Sequence, residues 1–181
     1  GYRIHNGHML TWAAMFAGNY DDAIAAADAG YLTTSADLFC TWIDFLEPYS
    51  TDAWHVLVRF GKWEEIIARP IPRSKYTLAE LRSGCLAGAK VAALLRPPSQ
   101  KLESAEQQVQ EEEEIFLVAR AYAHYAKGVA HAALGDIPAA QAEQRLFREA
   151  VKHIPPTRHL HNVPSLQSLG IAVSMLDGEI E

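Results

Sequence analysis

The chain has 181 residues, of which 49% are hydrophobic, and this is enough to bury the core of one ordinary domain. Its formal net charge of −6 gives no general attraction to phosphate backbones or anionic membranes, so nucleic-acid binding is not expected. No hydrophobic run has the length of a membrane span, and the first ten residues lack the apolar core of a signal peptide. The two cysteines, Cys40 and Cys85, form no CxxC unit. They suit small core residues in a reducing compartment, and a cytoplasmic location is predicted.

Three segments repeat one local pattern, in which an apolar helix ends at a glycine and a second helix begins shortly afterwards. The glycine supplies the left-handed conformation that closes the first helix. Polar and acidic residues behind it suit the positive N-terminus of the second helix. The pattern therefore predicts three antiparallel helical hairpins, at about residues 5–30, 51–69 and 115–153. Their turn glycines are Gly18, Gly61 and Gly135, followed by the bulky residues Tyr20, Trp63 and Ile137.

Two further helices and one insertion complete the predicted domain. The first extra helix covers about residues 36–46, with Ser35 as its cap and Pro48 at its end, and the second covers about 165–181. A repeat unit of about 34 residues leaves nearly a whole surplus unit between the second and third turn glycines. That surplus coincides with residues 78–113, which change from a glycine- and alanine-rich to a polar composition. We interpret this segment as an insertion or an extended helical excursion.

Four short motifs occur in a fixed order, HNGHML at residues 5–10, RFGKWEEI at 59–66, HYAKG at 124–128 and MLDGE at 175–179. Together they resemble a family of large tetratricopeptide-repeat proteins from bacteria and lower eukaryotes, which carries HNxHFL, RxGxW[DE]x[IL], HYA[KR]G and MLxGE stretches. The resemblance covers most of the chain except residues 78–113. It implies an all-α fold, an α-solenoid of antiparallel helical hairpins, in which this chain is an internal segment of a larger protein. It implies no assigned biochemical activity.

A binding groove follows from the same resemblance. In a tetratricopeptide hairpin the first helix lines the concave groove, mainly through its second, fifth, ninth, twelfth and thirteenth positions. Aromatic and arginine side chains there suit peptide recognition, because such anchors supply much of the binding energy. For Trp12, Met15 and Phe16, core packing between hairpins is the alternative. The groove candidates are His5, His8, Trp12, His55, Arg59, Tyr122 and Tyr125.

The predicted function is that of a protein- or peptide-binding scaffold without a cofactor. Its ends are expected to be covered by further repeats of the same chain or by a partner chain, because terminal repeats need polar caps for solubility. Catalysis is not expected, since the sequence has no GxSxG, P-loop or dinucleotide-binding pattern. A structural subunit of a large assembly, docked through residues 78–113, is a further alternative.

A metal site is the sharper alternative, because eight histidines are many for this length. Such a site would make the chain a metal-binding protein or a metal-dependent enzyme. However, the sequence has no HExxH and no Cys/His unit, and histidines that bond to backbone carbonyls in the interior explain the same pattern. The candidate ligands are His5, His8, His124 and His161.

Overall fold

The computed structural model describes residues 2–32, 34–72, 115–160 and 162–181, and this part of the chain is mostly helical. The predicted all-α class is therefore confirmed. The predicted insertion at 78–113 lies outside the described residues. A two-stranded antiparallel ribbon, β1 (His159–Leu160) and β2 (Val163–Pro164), precedes the last helix. The helices are α1 (Tyr2–Phe16), α2 (Tyr20–Leu32), α3 (Ala36–Thr41), α4 (Ile43–Leu46), the 3₁₀ helix Glu47–Thr51, α5 (Asp52–Arg59), α6 (Trp63–Ala68), α7 (Leu117–Ala133), α8 (Ile137–Lys152) and α9 (Ser165–Ile180).

The three turn glycines have the left-handed backbone that the sequence pattern requires. Their φ angles are 73° at Gly18, 64° at Gly61 and 80° at Gly135. The same pair of backbone hydrogen bonds closes each helix: the glycine N–H donates three residues back, and the next N–H donates five residues back. This is the Schellman arrangement, which satisfies carbonyls that a helix end leaves without partners.

The predicted caps are also present at the starts of the helices. Asn19 accepts a hydrogen bond from the backbone N–H of Asp22 at 3.2 Å, and Asp136 accepts one from the N–H of Ala139 at 3.1 Å. Ser35 caps α3 through the N–H of Leu38. Each cap provides a partner for one of the free donors in the first turn of its helix, which fixes where the helix begins.

Successive helix pairs pack against one another in a regular order. The pairs are α1 with α2, α5 with α6, and α7 with α8. The second helix of each pair contacts the first helix that follows, α2 against α5, α6 against α7, and α8 against α9. The first helices also touch in sequence, since α1 contacts α5, α5 contacts α7, and α7 contacts α9. As a result α1, α5, α7 and α9 lie side by side.

The segment after the first helix pair differs from the prediction of one helix at 36–46. The structure divides it at Trp42, whose φ of −119° and ψ of 32° are not helical, so that α3 and α4 are separate. Pro48 does not end a helix. It lies in the first turn of the 3₁₀ helix, where a missing N–H costs nothing because that N–H has no helical acceptor.

Cys40 lies on α3 in the hydrophobic core with Phe39, Ile43 and Phe116. It is disulfide-bonded, whereas we expected a free core thiol. Disulfides are typical of oxidising environments, so this cysteine gives no support to the predicted reducing compartment. Cys85 lies outside the described residues. Within the described part of the chain, no helix has both the length and the apolar character needed to cross a membrane.

The close approach of α1 to α2 gives a first prediction. A Cβ added at Gly7 would lie 3.2 Å from the Cα of Gly30, whereas one added at Gly30 would meet the Cα of Gly7 at 4.0 Å, an ordinary contact. Gly7→Ala should therefore force the two backbones apart and lower the free energy of unfolding. This loss should exceed the gain of up to about 1 kcal/mol that alanine gives over glycine in a helix. Gly30→Ala, the matched control, should be neutral or stabilising. Chemical denaturation followed by circular dichroism measures both, and equal stabilisation by the two changes would contradict the prediction.

Candidate functional site

One cleft runs across the four adjacent first helices. It has a volume of about 390 Å³, within the range of about 300–1,000 Å³ that is usual for ligand pockets. Its walls are mainly apolar. The side chains that line it are Trp12, Met15 and Phe16 of α1, Pro48 and Thr51 of the 3₁₀ helix, His55, Val58 and Arg59 of α5, Val118, Tyr122 and Tyr125 of α7, Leu160 of β1, and Ser165, Ser168, Leu169, Ile171, Ala172 and Met175 of α9.

Five of the seven groove candidates lie in this lining: Trp12, His55, Arg59, Tyr122 and Tyr125. Four of their rings form a continuous row. The centroid of Trp12 is 5.7 Å from that of His55, His55 is 4.1 Å from Tyr122, and Tyr122 is 5.2 Å from Tyr125. Residues that are distant in sequence therefore form one aromatic wall, because α1, α5 and α7 each contribute one helical face.

His55 and Tyr122 are joined by a hydrogen bond of 2.7 Å between the phenol oxygen and Nδ1. Burial lowers the pKa of His55 to about 4, and the neighbouring His8 acts in the same direction. Burial also raises the pKa of Tyr122 well above its ordinary value, and Tyr125 and Asp52 add to this. Both side chains are therefore neutral at pH 7. The cleft interior offers dipoles and apolar surface rather than charge.

His8, a predicted groove residue, lies elsewhere. It is only 5% exposed, and its Nδ1 is 2.8 Å from Oδ2 of Asp52 at the start of α5. Its ring also meets the edge of Tyr49 with centroids 5.0 Å apart. Burial raises the pKa of Asp52, while the hydrogen bond from His8 opposes that rise. The placement in the groove was wrong because Asp52, 44 residues away, draws His8 into the contact between α1 and α5.

His5 does not line the cleft either. It is exposed and belongs to a separate depression formed by α1, α3, α4 and the 3₁₀ helix, with Tyr2, Leu38, Trp42 and Phe45 among its neighbours. The first turn of α1 therefore faces a different surface from its last turn, where Trp12 and Phe16 lie. The groove positions implied by the tetratricopeptide resemblance include residues of both turns.

The wall supplied by α9 was not anticipated as part of the site. The sequence predicts this helix at about residues 165–181 but assigns none of its apolar side chains to the groove. The sequence did contain one signal for it. First and second helices alternate along the chain, so α9 is the first helix of a fourth pair and extends the face formed by α1, α5 and α7. Ile171 is 62% and Met175 53% exposed, and with Phe16, which is 80% exposed, they surround the cleft with uncovered apolar surface.

Two buried polar atoms in the lining have no hydrogen-bond partner among the described residues. They are Nε1 of Trp12 and Oγ of Ser165. Ser165 itself is only 2% exposed. Both atoms are inaccessible to solvent, so their lack of a partner is a cost of folding and does not provide a hydrogen-bonding position for a molecule in the cleft.

The three metal candidates that lie within the described residues are not brought together. His8 pairs with Asp52, and His124 pairs with Glu143 through a contact of 2.7 Å between Nδ1 and Oε2. His5 is exposed on another surface, and His161 lies outside the described residues. Across the described ranges, no group of three or more histidine, cysteine, aspartate or glutamate side chains is arranged to hold a metal ion.

No protein-family model, curated protein or solved structure matches this chain.

Proposed function

We propose that this chain is a segment of a tetratricopeptide-like α-solenoid whose cleft across α1, α5, α7 and α9 binds a peptide or a segment of a partner protein. The single observation that supports the proposal most strongly is the cleft itself. It combines an aromatic wall, exposed apolar side chains at its mouth and an arginine in its lining, which together are the usual features of a recognition site.

The order in which the helix pairs pack favours the solenoid part of the proposal. Each second helix lies against the following first helix, and neighbouring first helices share one surface. Stacking of this kind generates extended binding surfaces in repeat proteins. The motif resemblance points the same way, and it implies further hairpins in the full protein. The cytoplasmic location and the coverage of the ends by further repeats or a partner chain remain predictions.

A displayed peptide library tests the proposal directly. We expect selection against the folded chain to enrich peptides whose dissociation constants, measured by fluorescence anisotropy, rise about tenfold in the Phe16→Ser and Met175→Ser variants. Apolar anchors at a cleft mouth contribute on the order of 1–2 kcal/mol each to such complexes. Both residues are largely exposed, so their replacement should leave the helicity unchanged.

The matched controls are Leu134→Ser and Leu146→Ser. These leucines are 48% and 49% exposed and lie outside the cleft lining. They remove similar apolar surface without touching the site, and peptide affinity should stay within twofold of the parent chain. Selection that enriches no peptide, or peptides equally sensitive to all four changes, would rule out the cleft as the binding site.

A further inference from the structure

The charges of the lining are one-sided. Arg59, at the C-terminal end of α5, is exposed and lines the cleft. His55 is neutral at pH 7 because burial lowers its pKa. In the described part of the chain, no aspartate or glutamate belongs to the lining. An acidic ligand group therefore meets a cation there, while a basic one meets no compensating charge and is repelled by Arg59.

The apolar surface around these groups defines the rest of the ligand. Phe16, Ile171 and Met175 are more than half exposed at the mouth, and Met15 and Leu169 are buried behind them. A side chain that enters must be apolar and large to cover this area. An aromatic or long aliphatic residue has both properties.

From these two observations we propose that the cleft binds an internal peptide segment in which an aromatic or long aliphatic side chain lies next to an aspartate or glutamate. The apolar side chain fills the cleft between α1, α7 and α9. The side-chain carboxylate pairs with Arg59. This proposal rests on the proposed function, because it requires that the cleft binds peptides.

The test uses the whole chain and three dye-labelled hexapeptides with both ends blocked. They share a Phe-Leu pair and differ only in the following residue, which is Asp, Asn or Lys. We expect the Asp peptide to bind about fivefold tighter than the Asn peptide, as for a partly solvated ion pair, with the Lys peptide weakest. Arg59→Gln should remove the difference between the Asp and Asn peptides. Arg145→Gln, an exposed arginine of α8 outside the lining, should preserve it.

Equal binding of the Asp and Asn peptides to the parent chain, or a charge preference that survives Arg59→Gln, would overturn the proposal.

The failure of this inference is distinguishable from the failure of the proposed function. If none of the three hexapeptides binds while library selection still yields peptides sensitive to Phe16→Ser, the cleft binds peptides but the acidic-apolar class is wrong. If selection also yields nothing, both proposals are wrong.

Discussion

Replacing Arg158 with methionine should lower the free energy of unfolding by roughly 3–5 kcal/mol, because it leaves a buried carboxylate without its cation. Arg158 follows α8 and is 1% exposed, and Glu47 of the 3₁₀ helix is 0% exposed. Nη1 of Arg158 lies 3.6 Å from Oε2 of Glu47 and donates to the carbonyl oxygen of Ile43 at 3.0 Å. Nη2 donates to the carbonyl oxygen of Ile115 at 3.4 Å. Methionine fills similar space but replaces none of these contacts.

The contacts of Glu47 explain why the Arg158→Met substitution should affect more than one ion pair. Oε1 of Glu47 accepts a hydrogen bond of 2.8 Å from the backbone N–H of Ala119, in the first turn of α7. Arg158 and Glu47 therefore connect three parts of the chain: the region of α4 and the 3₁₀ helix, the start of α7 and the segment after α8. These parts hold α5, α7 and α9 in the row that forms the cleft. We expect the Arg158→Met chain to lose peptide affinity as well as stability.

Urea denaturation at pH 8, followed by circular dichroism, measures the loss. The matched control is Arg148→Met, since Arg148 also pairs with a carboxylate, that of Asp177 at 2.7 Å, but both side chains are well exposed. Exposed pairs contribute about 0–1 kcal/mol, so this variant should be nearly as stable as the parent. Equal losses in the two variants would show that burial does not determine the contribution of Arg158.

The parts of the fold that follow local rules could be predicted from the sequence. A glycine closes each of three helices because a positive φ is strained for other residues, and Asn19, Asp136 and Ser35 cap helices through N–H groups three residues ahead. These interactions span a few residues and leave a readable pattern. The cleft was only partly predictable: the tetratricopeptide resemblance placed five of its lining residues in a groove, but it also placed His5 and His8 there and gave no role to α9.

The contacts that the sequence did not reveal are those between residues far apart. The resemblance predicts His8 in the groove. Its partner Asp52 is 44 residues away, and no residue near either one indicates that the two side chains pair. The buried contact between Arg158 and Glu47 likewise has no local signature. A charged side chain in a single sequence is indistinguishable from a solvated one until packing brings its counterpart close.

The motifs that carry the family resemblance supply packing contacts between helices, besides the cleft residues Arg59, Tyr125 and Met175. Gly128 of the HYAKG motif lies against Leu176 of the MLDGE motif, and a Cβ at Gly128 would lie 2.9 Å from Cδ1 of that leucine. Lys127 donates to the carbonyl oxygen of Ile67 at 2.5 Å, just after the RFGKWEEI motif, and His8 of the first motif ties α1 to α5. Motifs of this kind specify how hairpins stack. This explains why the resemblance predicts architecture and says little about the ligand.

The pH dependence of stability should be nearly flat between about pH 4.5 and 6.5, because two buried groups act in opposite directions there. Burial raises the pKa of Glu47 to about 7, although Arg158 and backbone N–H groups oppose the rise. The stability that this shift contributes is present below the ordinary glutamate pKa and is lost as the pH rises through 7. Burial lowers the pKa of His55 to about 4. Its contribution is present above the ordinary histidine pKa of about 6.5 and is lost as the pH falls through 4.

Single substitutions should separate the two slopes, each of roughly 1.4 kcal/mol per pH unit in that window. In Glu47→Gln only the His55 contribution remains, so the free energy of unfolding should rise as the pH increases from 4.5 to 6.5. In His55→Gln only the Glu47 contribution remains, and the free energy should fall over the same range while the glutamine can still bond to Tyr122. Urea titrations at closely spaced pH values give the slopes. Other titrating groups, such as Asp52 and Glu149, are common to all three proteins and cancel in the comparison. Parallel pH profiles for the three proteins would mean that neither group is shifted by burial, whereas opposite slopes would show that burial shifts the pKa of Glu47 upwards and that of His55 downwards in the folded chain.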